Sequence, residues 1–174
     1  MKHLIYLLLK AFFYPKYYPY GYYSIKTLLR IAFKQKILGY NRKIPWPVHY
    51  TSYIKNYKNI QTTTEPVGIA MGTYIDARNG IILEENVNLG PKISLISMNH
   101  DSNNYSIFIK EEPIIIRKNS WIGTGSIILP GVELGEHTIV GAGSVVTKSF
   151  KEGNQLIAGN PAKVIKQLEN YKSD

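Results

Sequence analysis

The sequence predicts a mainly β protein, a parallel β-helix wound into triangular coils. Two spacings in residues 116–150 predict it. An aliphatic side chain recurs every sixth residue, at Ile116, Ile122, Ile128, Leu134, Val140 and Val146. A small or β-branched residue stands two places before the next aliphatic, at Ser120, Ser126, Val132, Thr138 and Ser144. A helix would repeat its apolar stripe at three and four residues and a strand at two, so period six fits neither. It fits a chain that turns a corner every six residues and buries one aliphatic on each wall. Three such hexads close a coil of about 18 residues, and coils stack at the strand spacing of about 4.8 Å.

The same spacing runs earlier, through Ile69, Ile75, Ile81, Val87 and Ile93. Gly72, Asn79, Gly80, Asn86 and Asn88 are the expected corner residues there, because Gly and Asn tolerate left-handed backbone at little cost. Each buried aliphatic contributes about 1.5–3 kcal/mol. A lone coil has two open edges, so several coils and end caps are expected. The spacing from Ile93 to Ile116 is 23 residues, which is not a multiple of six, so an insertion is expected between them. Residues 97–113, SMNHDSNNYSIFIKEEP, drop the pattern. They form a long polar loop, and long loops on a regular scaffold tend to carry function.

The 174 residues suffice for one domain with a sizeable core, and the balance of 44% hydrophobic to 19% charged residues argues against disorder. The absence of cysteine excludes disulfides, thiolate catalysis and cysteine-based zinc sites. The net charge of +9 is unevenly spread. Residues 1–64 hold eleven Lys or Arg, no Asp or Glu, and eleven of the fourteen Tyr. The expected organisation is therefore a basic, Tyr-rich helical or extended cap over 1–64 and a β-helix over 65–161, followed by a short terminal helix and tail over 162–174.

The start of the chain pairs Lys2 and His3 with an apolar run that Lys10 interrupts. No small-x-small cleavage site follows, which argues against a secretory signal, and no run of about 20 apolar residues suits a spanning helix. A helix is expected over 2–13, stopped by Pro15 and Pro19. A second is expected over 24–38, capped by Ser24 and ended by Gly39. Residues 43–49, KIPWPVH, should run extended onto the first coil, since a residue before proline avoids the α region. A basic, aromatic front over residues 1–43 suits peripheral contact with an anionic membrane. The alternative is a plain cap on the open end of the β-helix. No nucleic-acid motif is present, so no nucleic acid is expected.

His100 and Asp101 stand at the root of the inserted loop. Histidine is the side chain best suited to take a proton near neutral pH. A solvent-exposed loop histidine is the alternative.

Three features together resemble the hexapeptide-repeat O-acetyltransferases: the hexads, the step Asn99-His100-Asp101, and the closing Gly159-Asn160-Pro161-Ala162-Lys163. The likeness covers about residues 65–168. It is to the galactoside and maltose acetyltransferases, and most of all to those of polysaccharide gene clusters. It implies a left-handed coil, although the general crossover rule favours the right hand. It also implies a homotrimer with active sites between subunits, acetyl-CoA as co-substrate, a saccharide acceptor and no metal. A cytoplasmic location follows, with the front of the chain peripheral at the inner membrane face.

By motif match, His100 would be the catalytic base. Thr124, Ala142, Thr147, Lys148, Lys163 and Lys166 would hold the coenzyme, the last two meeting its phosphates where the family often has Arg. Asp76, Asn79 and Asp101 are the looser candidates for binding the acceptor. The acceptor hydroxyl would attack the thioester directly, so no enzyme nucleophile is needed.

Other functions fit less well. A γ-type carbonic anhydrase needs three zinc histidines with a close pair on one loop, whereas Tyr105 stands five residues after His100. A binding scaffold would carry a flat array of like residues, and the outward positions here are mixed. Transfer to an amino sugar, to serine or to a xenobiotic such as chloramphenicol are the remaining acetyltransferase alternatives.

Overall fold

The computed structural model describes Tyr14, residues 23–63 and residues 66–172. The helix expected over 2–13 lies outside them. Hexads wind into about five triangular coils whose strands stack in three parallel sheets. One wall stacks β1 (Tyr53–Lys55), β3 (Tyr74–Asp76), β6 (Ser94–Ile96), β11 (Ile127–Ile128) and β14 (Val145–Val146). The next stacks β2 (Ile60–Thr62), β4 (Ile81–Leu83), β9 (Ile114–Ile116) and β12 (Glu133–Leu134), with Phe150 bridged to Leu134. The third stacks β5 (Asn88–Leu89), β10 (Trp121–Ile122), β13 (Thr138–Val140) and β15 (Gln155–Gly159).

Both sequence spacings turn inward. Ile122, Ile128, Leu134 and Val146 are wholly buried, and so are Ser126 and Thr138 two places before a wall centre. The polar members are satisfied by backbone: the Thr138 hydroxyl donates to the Gly135 carbonyl at 2.7 Å and that of Ser126 to the Gly141 carbonyl at 2.9 Å. Left-handed corners follow the same six-residue beat, at Asn119, Gly125, Gly131, His137 and Gly143.

The earlier coils keep a different phase from the one expected. Ile75 pairs with Leu95, Leu83 with Ile116 and Leu89 with Ile122, so these are the wall centres. Ile81, Val87 and Ile93 sit two places before a centre, and they are equally buried. Because both inward positions are aliphatic here, the six-beat could be read on either. The step from Ile75 to Leu83 is eight residues, so the phase slips a first time at the turn Ala77–Gly80, before the insertion. Asn86 and Gly80 are left-handed corners as expected, whereas Asn88 lies in β5.

Both ends differ from expectation. The coils begin at Tyr53, not after residue 64, because Ile54 continues the column of Ile75. In front of them α1 (Ile25–Ala32) is capped by Ser24, whose hydroxyl accepts from the Thr27 amide, and it runs into a π-helical turn over Phe33–Ile37. The cap docks through Leu28, Ile31, Ala32 and Tyr14 against Ile69. Gln35 is fully buried at the centre of residues 35–48. Its amide donates to the carbonyls of Asn41, Ile44 and Trp46, and its oxygen accepts from Tyr14 and the Val48 amide. Burial pushes the Tyr14 hydroxyl pKa well up.

At the far end no helix forms over 162–171. Residues Ala162–Gln167 are β16, antiparallel to β15, and close the last open edge of the third sheet. Ala162 and Val164 pair with Gly159 and Ile157, which ties the strand to the core.

Candidate active site

The expected site is spread over two corners of the prism and the terminal strand. The loop springs from the corner after β6. Its arms form a two-stranded hairpin, β7 (Asn99–His100) with β8 (Phe108–Ile109), in which His100 pairs with Phe108. The His100 ring is exposed and lies 4.5 Å from the Phe108 ring, centre to centre. Its Nδ1 meets the carbonyl oxygen of Tyr105 at 2.5 Å. A carbonyl can only accept, so Nδ1 carries a hydrogen, and in the neutral ring Nε2 is the nitrogen that bears the lone pair.

The three acceptor candidates surround this hairpin, and each is already engaged. Asp76 is 1% exposed and takes a bidentate contact from Arg78, with Nη2 to Oδ2 at 2.7 Å. The contact raises the pKa of the guanidinium. The Arg78 guanidinium also stacks over Phe108 at 4.4 Å. Asn79 donates both hydrogens of its amide to the carbonyls of Ser97 and Ile109, fastening the two roots of the loop. Asp101 accepts from the amides of Asn103 and Asn104, shaping the turn of its own loop. Arg78 and Phe108 were not among the expected residues. No spacing singles them out, because their role arises only when the hairpin folds back on β3.

The coenzyme candidates lie elsewhere. Thr124 and Ala142 are exposed at the corner between the third and first walls, one coil apart. Gly123 and Gly141 precede them, and a Cβ on Gly123 would come within 2.7 Å of the Ala142 amide nitrogen. Among the described residues the amides of Thr124 and Ala142 donate to no partner, unlike those of Gly123 and Gly141, which bond the next coil. This corner thus offers two stacked N–H groups beside backbone that a ligand can approach closely. Thr147 and Lys148 follow β14 at the opposite end of the first wall, on the corner that bears the His100 loop.

Lys163 and Lys166 lie on β16. Three residues apart, they would face opposite ways on a regular strand. A bulge at Ile165 corrects this: Lys163 pairs with Ala158 and Lys166 with Leu156, so both project from the outer face of the third sheet. Trp121, 58% exposed, stands on that face two coils below. Within one chain the first wall separates His100 from Thr124 and Ala142.

Residues 113–148 match the bacterial transferase hexapeptide family of six repeats. A Schizosaccharomyces pombe protein named as a putative acetyltransferase is 44% identical over 94 residues. The match spans 52% of this chain and only 44% of the yeast protein. Among solved structures, a galactoside acetyltransferase in complex with coenzyme A is 27% identical with a TM-score of 0.61, covering 74% of this chain and 67% of that one. A maltose O-acetyltransferase from Clostridium difficile 630 is 31% identical with a TM-score of 0.49, covering 64% of this chain and 60% of that one.

Proposed function

We propose that this hexapeptide-repeat protein transfers an acetyl group from acetyl-CoA to a saccharide hydroxyl, with His100 as general base. The observation that carries the proposal is the free Nε2 of an exposed imidazole whose other nitrogen is fixed by the Tyr105 carbonyl. A named likeness to a galactoside acetyltransferase holding coenzyme A supports the donor and the acceptor class.

In this reading Nε2 takes the proton of the acceptor hydroxyl as its oxygen attacks the thioester carbonyl carbon. The tetrahedral oxyanion is met by backbone N–H groups, for which the corner amides of Thr124 and Ala142 are the candidates. The intermediate collapses, the carbon–sulfur bond breaks, and the thiolate recovers the proton from the imidazolium. Lys163 and Lys166 hold the coenzyme phosphates as point charges. Thr147 and Lys148 flank the pantetheine. Asp76, Asn79 and Asp101 shape the acceptor side through Arg78 and the loop.

His100 and the amide corner stand on opposite sides of the first wall, so a single chain does not complete the site. A homotrimer, in which one subunit's loop meets the next subunit's corner, does. Sedimentation equilibrium should give three chains per particle, and an active monomer would overturn this arrangement.

The acceptor belongs to surface-polysaccharide assembly in this reading, in the cytoplasm with the basic segment 1–43 against the inner membrane face. No helix of the described residues is long and apolar enough to cross a membrane. Removing residues 1–20 should lessen pelleting with anionic liposomes, and a full-length chain that never pellets would end the membrane assignment. Acetyl-CoA consumption over a panel of free, phosphorylated and lipid-linked saccharides tests the activity itself. No consumption with any of them, against an amino sugar or serine control that is acetylated, would move the reading to one of those acceptors.

A further inference from the structure

Beside the loop hairpin lies a cavity of about 400 Å³, lined by Lys58, Gln61, Arg78, Asn79 and Lys110 together with Glu111. It opens where β2 and β4 meet the underside of the inserted loop. Its charges are arranged asymmetrically. Lys58 comes from the turn before β2 and Lys110 from the residue after β8, and both are exposed. Among the described residues neither forms an ion pair or a hydrogen bond. Arg78 spends Nε and Nη2 on Asp76 and leaves Nη1 without a partner there. Glu111 also lines the cavity, its Oε2 lying 3.5 Å from where a Cβ on Gly131 would stand, so the three cations face a single lining carboxylate.

The cavity adjoins the imidazole. The guanidinium that lines it lies over Phe108, and the Phe108 ring packs in turn against His100 with the two planes tilted by 46°. One aromatic ring therefore separates the cationic cavity from the proposed base.

We propose that this cavity receives a phosphoryl group carried by the acceptor saccharide. The inference rests on the reading of the site as an acetyltransferase. Three cations from separate elements line it, Arg78 keeping Nη1 beside its bonds to Asp76, and several single donors suit the tetrahedral oxygens of a phosphate. A planar carboxylate would be served by one guanidinium fork. Gln61, exposed at the rim, adds a neutral amide donor. The acceptor is then a sugar phosphate or a diphosphate-linked sugar.

The test measures equilibrium binding to the full chain without acetyl-CoA, so that it does not depend on turnover. The probes are a free hexose, the same hexose as its 1-phosphate, its nucleoside-diphosphate form, its short-chain polyprenyl-diphosphate form, and the hexuronate. Phosphorylated probes should bind about tenfold more tightly than the free hexose, and Lys58→Gln with Lys110→Gln should remove that advantage. The advantage should also shrink in high salt. Preference between the last two phosphorylated forms identifies the nucleotide or the lipid as the source of the phosphate. Equal binding of free and phosphorylated hexose, an advantage that survives both substitutions, or tightest binding of the hexuronate would overturn the proposal. Phosphate-dependent binding without acetyl-CoA consumption would keep this cavity and sink the transfer reaction.

Discussion

The carbonyl oxygen of Tyr105 faces Nδ1 of His100 across five residues of the same loop. The contact is made by backbone, so it fixes the ring through the shape of the hairpin rather than through a partner side chain. Asp101, the neighbouring carboxylate, is instead committed to the amides of Asn103 and Asn104. The base is oriented without a second ionised group. Replacing His100 by Ala should lower kcat by about 10²–10⁴-fold. Circular dichroism and coenzyme A binding should stay near the parent's, because the ring is exposed and is assigned no contact with the coenzyme. Parent-like turnover would remove the proposed base.

Phe108 touches both the Arg78 guanidinium, 4.4 Å from its ring centre, and the His100 ring, 4.5 Å away. Phe108→Ala would leave the Tyr105 contact in place and remove the surface the imidazole rests on. The expected result is a fall in kcat of about tenfold to a hundredfold, with the KM for acetyl-CoA unchanged. Phe108→Tyr should restore most of it. A KM effect without a kcat effect would show that Phe108 does not position the base.

The walls were legible in the sequence because one residue in six must be aliphatic to fill a triangular core, and Ile122, Ile128 and Leu134 obey that rule. The early phase was less legible, since Ile81 and Leu83 are both aliphatic and both buried, and only strand pairing separates them. The terminal strand was missed for a related reason. Ala162–Gln167 has a pattern that a helix also satisfies, and the partner that decides the matter is the open edge of β15. Tertiary pairing overrode local propensity there. At the site, His100 and the corner residues could be found by motif. Arg78 could not, because its importance depends on two stacking contacts between separate elements.

The bulge at Ile165 makes a prediction of its own. Because it brings Lys163 and Lys166 to one face, neutralising both as Gln should raise the KM for acetyl-CoA by about three- to tenfold while leaving kcat at saturation near the parent's. Steady-state kinetics at fixed acceptor would measure it. An unchanged KM would retract both assignments.

Close packing between the upper coils sets a stability limit away from the site. A Cβ on Gly135 would stand 2.4 Å from the Lys151 carbonyl oxygen and 2.5 Å from the Gly153 amide nitrogen. Both neighbours are backbone, so the coils themselves must part. Gly135→Ala should cost about 1–3 kcal/mol or more and lower the Tm accordingly. A Tm equal to the parent's would mean that the last two coils are looser than their spacing implies.

Acid should weaken the second wall through Glu133. Arg117 holds its Oε1 at 2.7 Å and Lys151 its Oε2 at 3.1 Å, while Arg117 also reaches Glu84 on the coil below its own. The hydrogen bonds from Arg117 first, and from Lys151 second, depress the Glu133 pKa below the usual carboxylate range. A depressed folded pKa means that the unfolded chain binds the proton more readily. The stabilisation is therefore complete above the ordinary glutamate pKa of about 4.3 and is lost as pH falls through the lower folded value. Its size is modest, because the side chains of Glu133 and Arg117 are 20% and 43% exposed and solvent screens the pair. In urea titrations between pH 7 and pH 3 the parent's midpoint should fall more steeply below pH 4.5 than that of Glu133→Gln. Parallel curves for the two proteins would show that this carboxylate carries no part of the acid response.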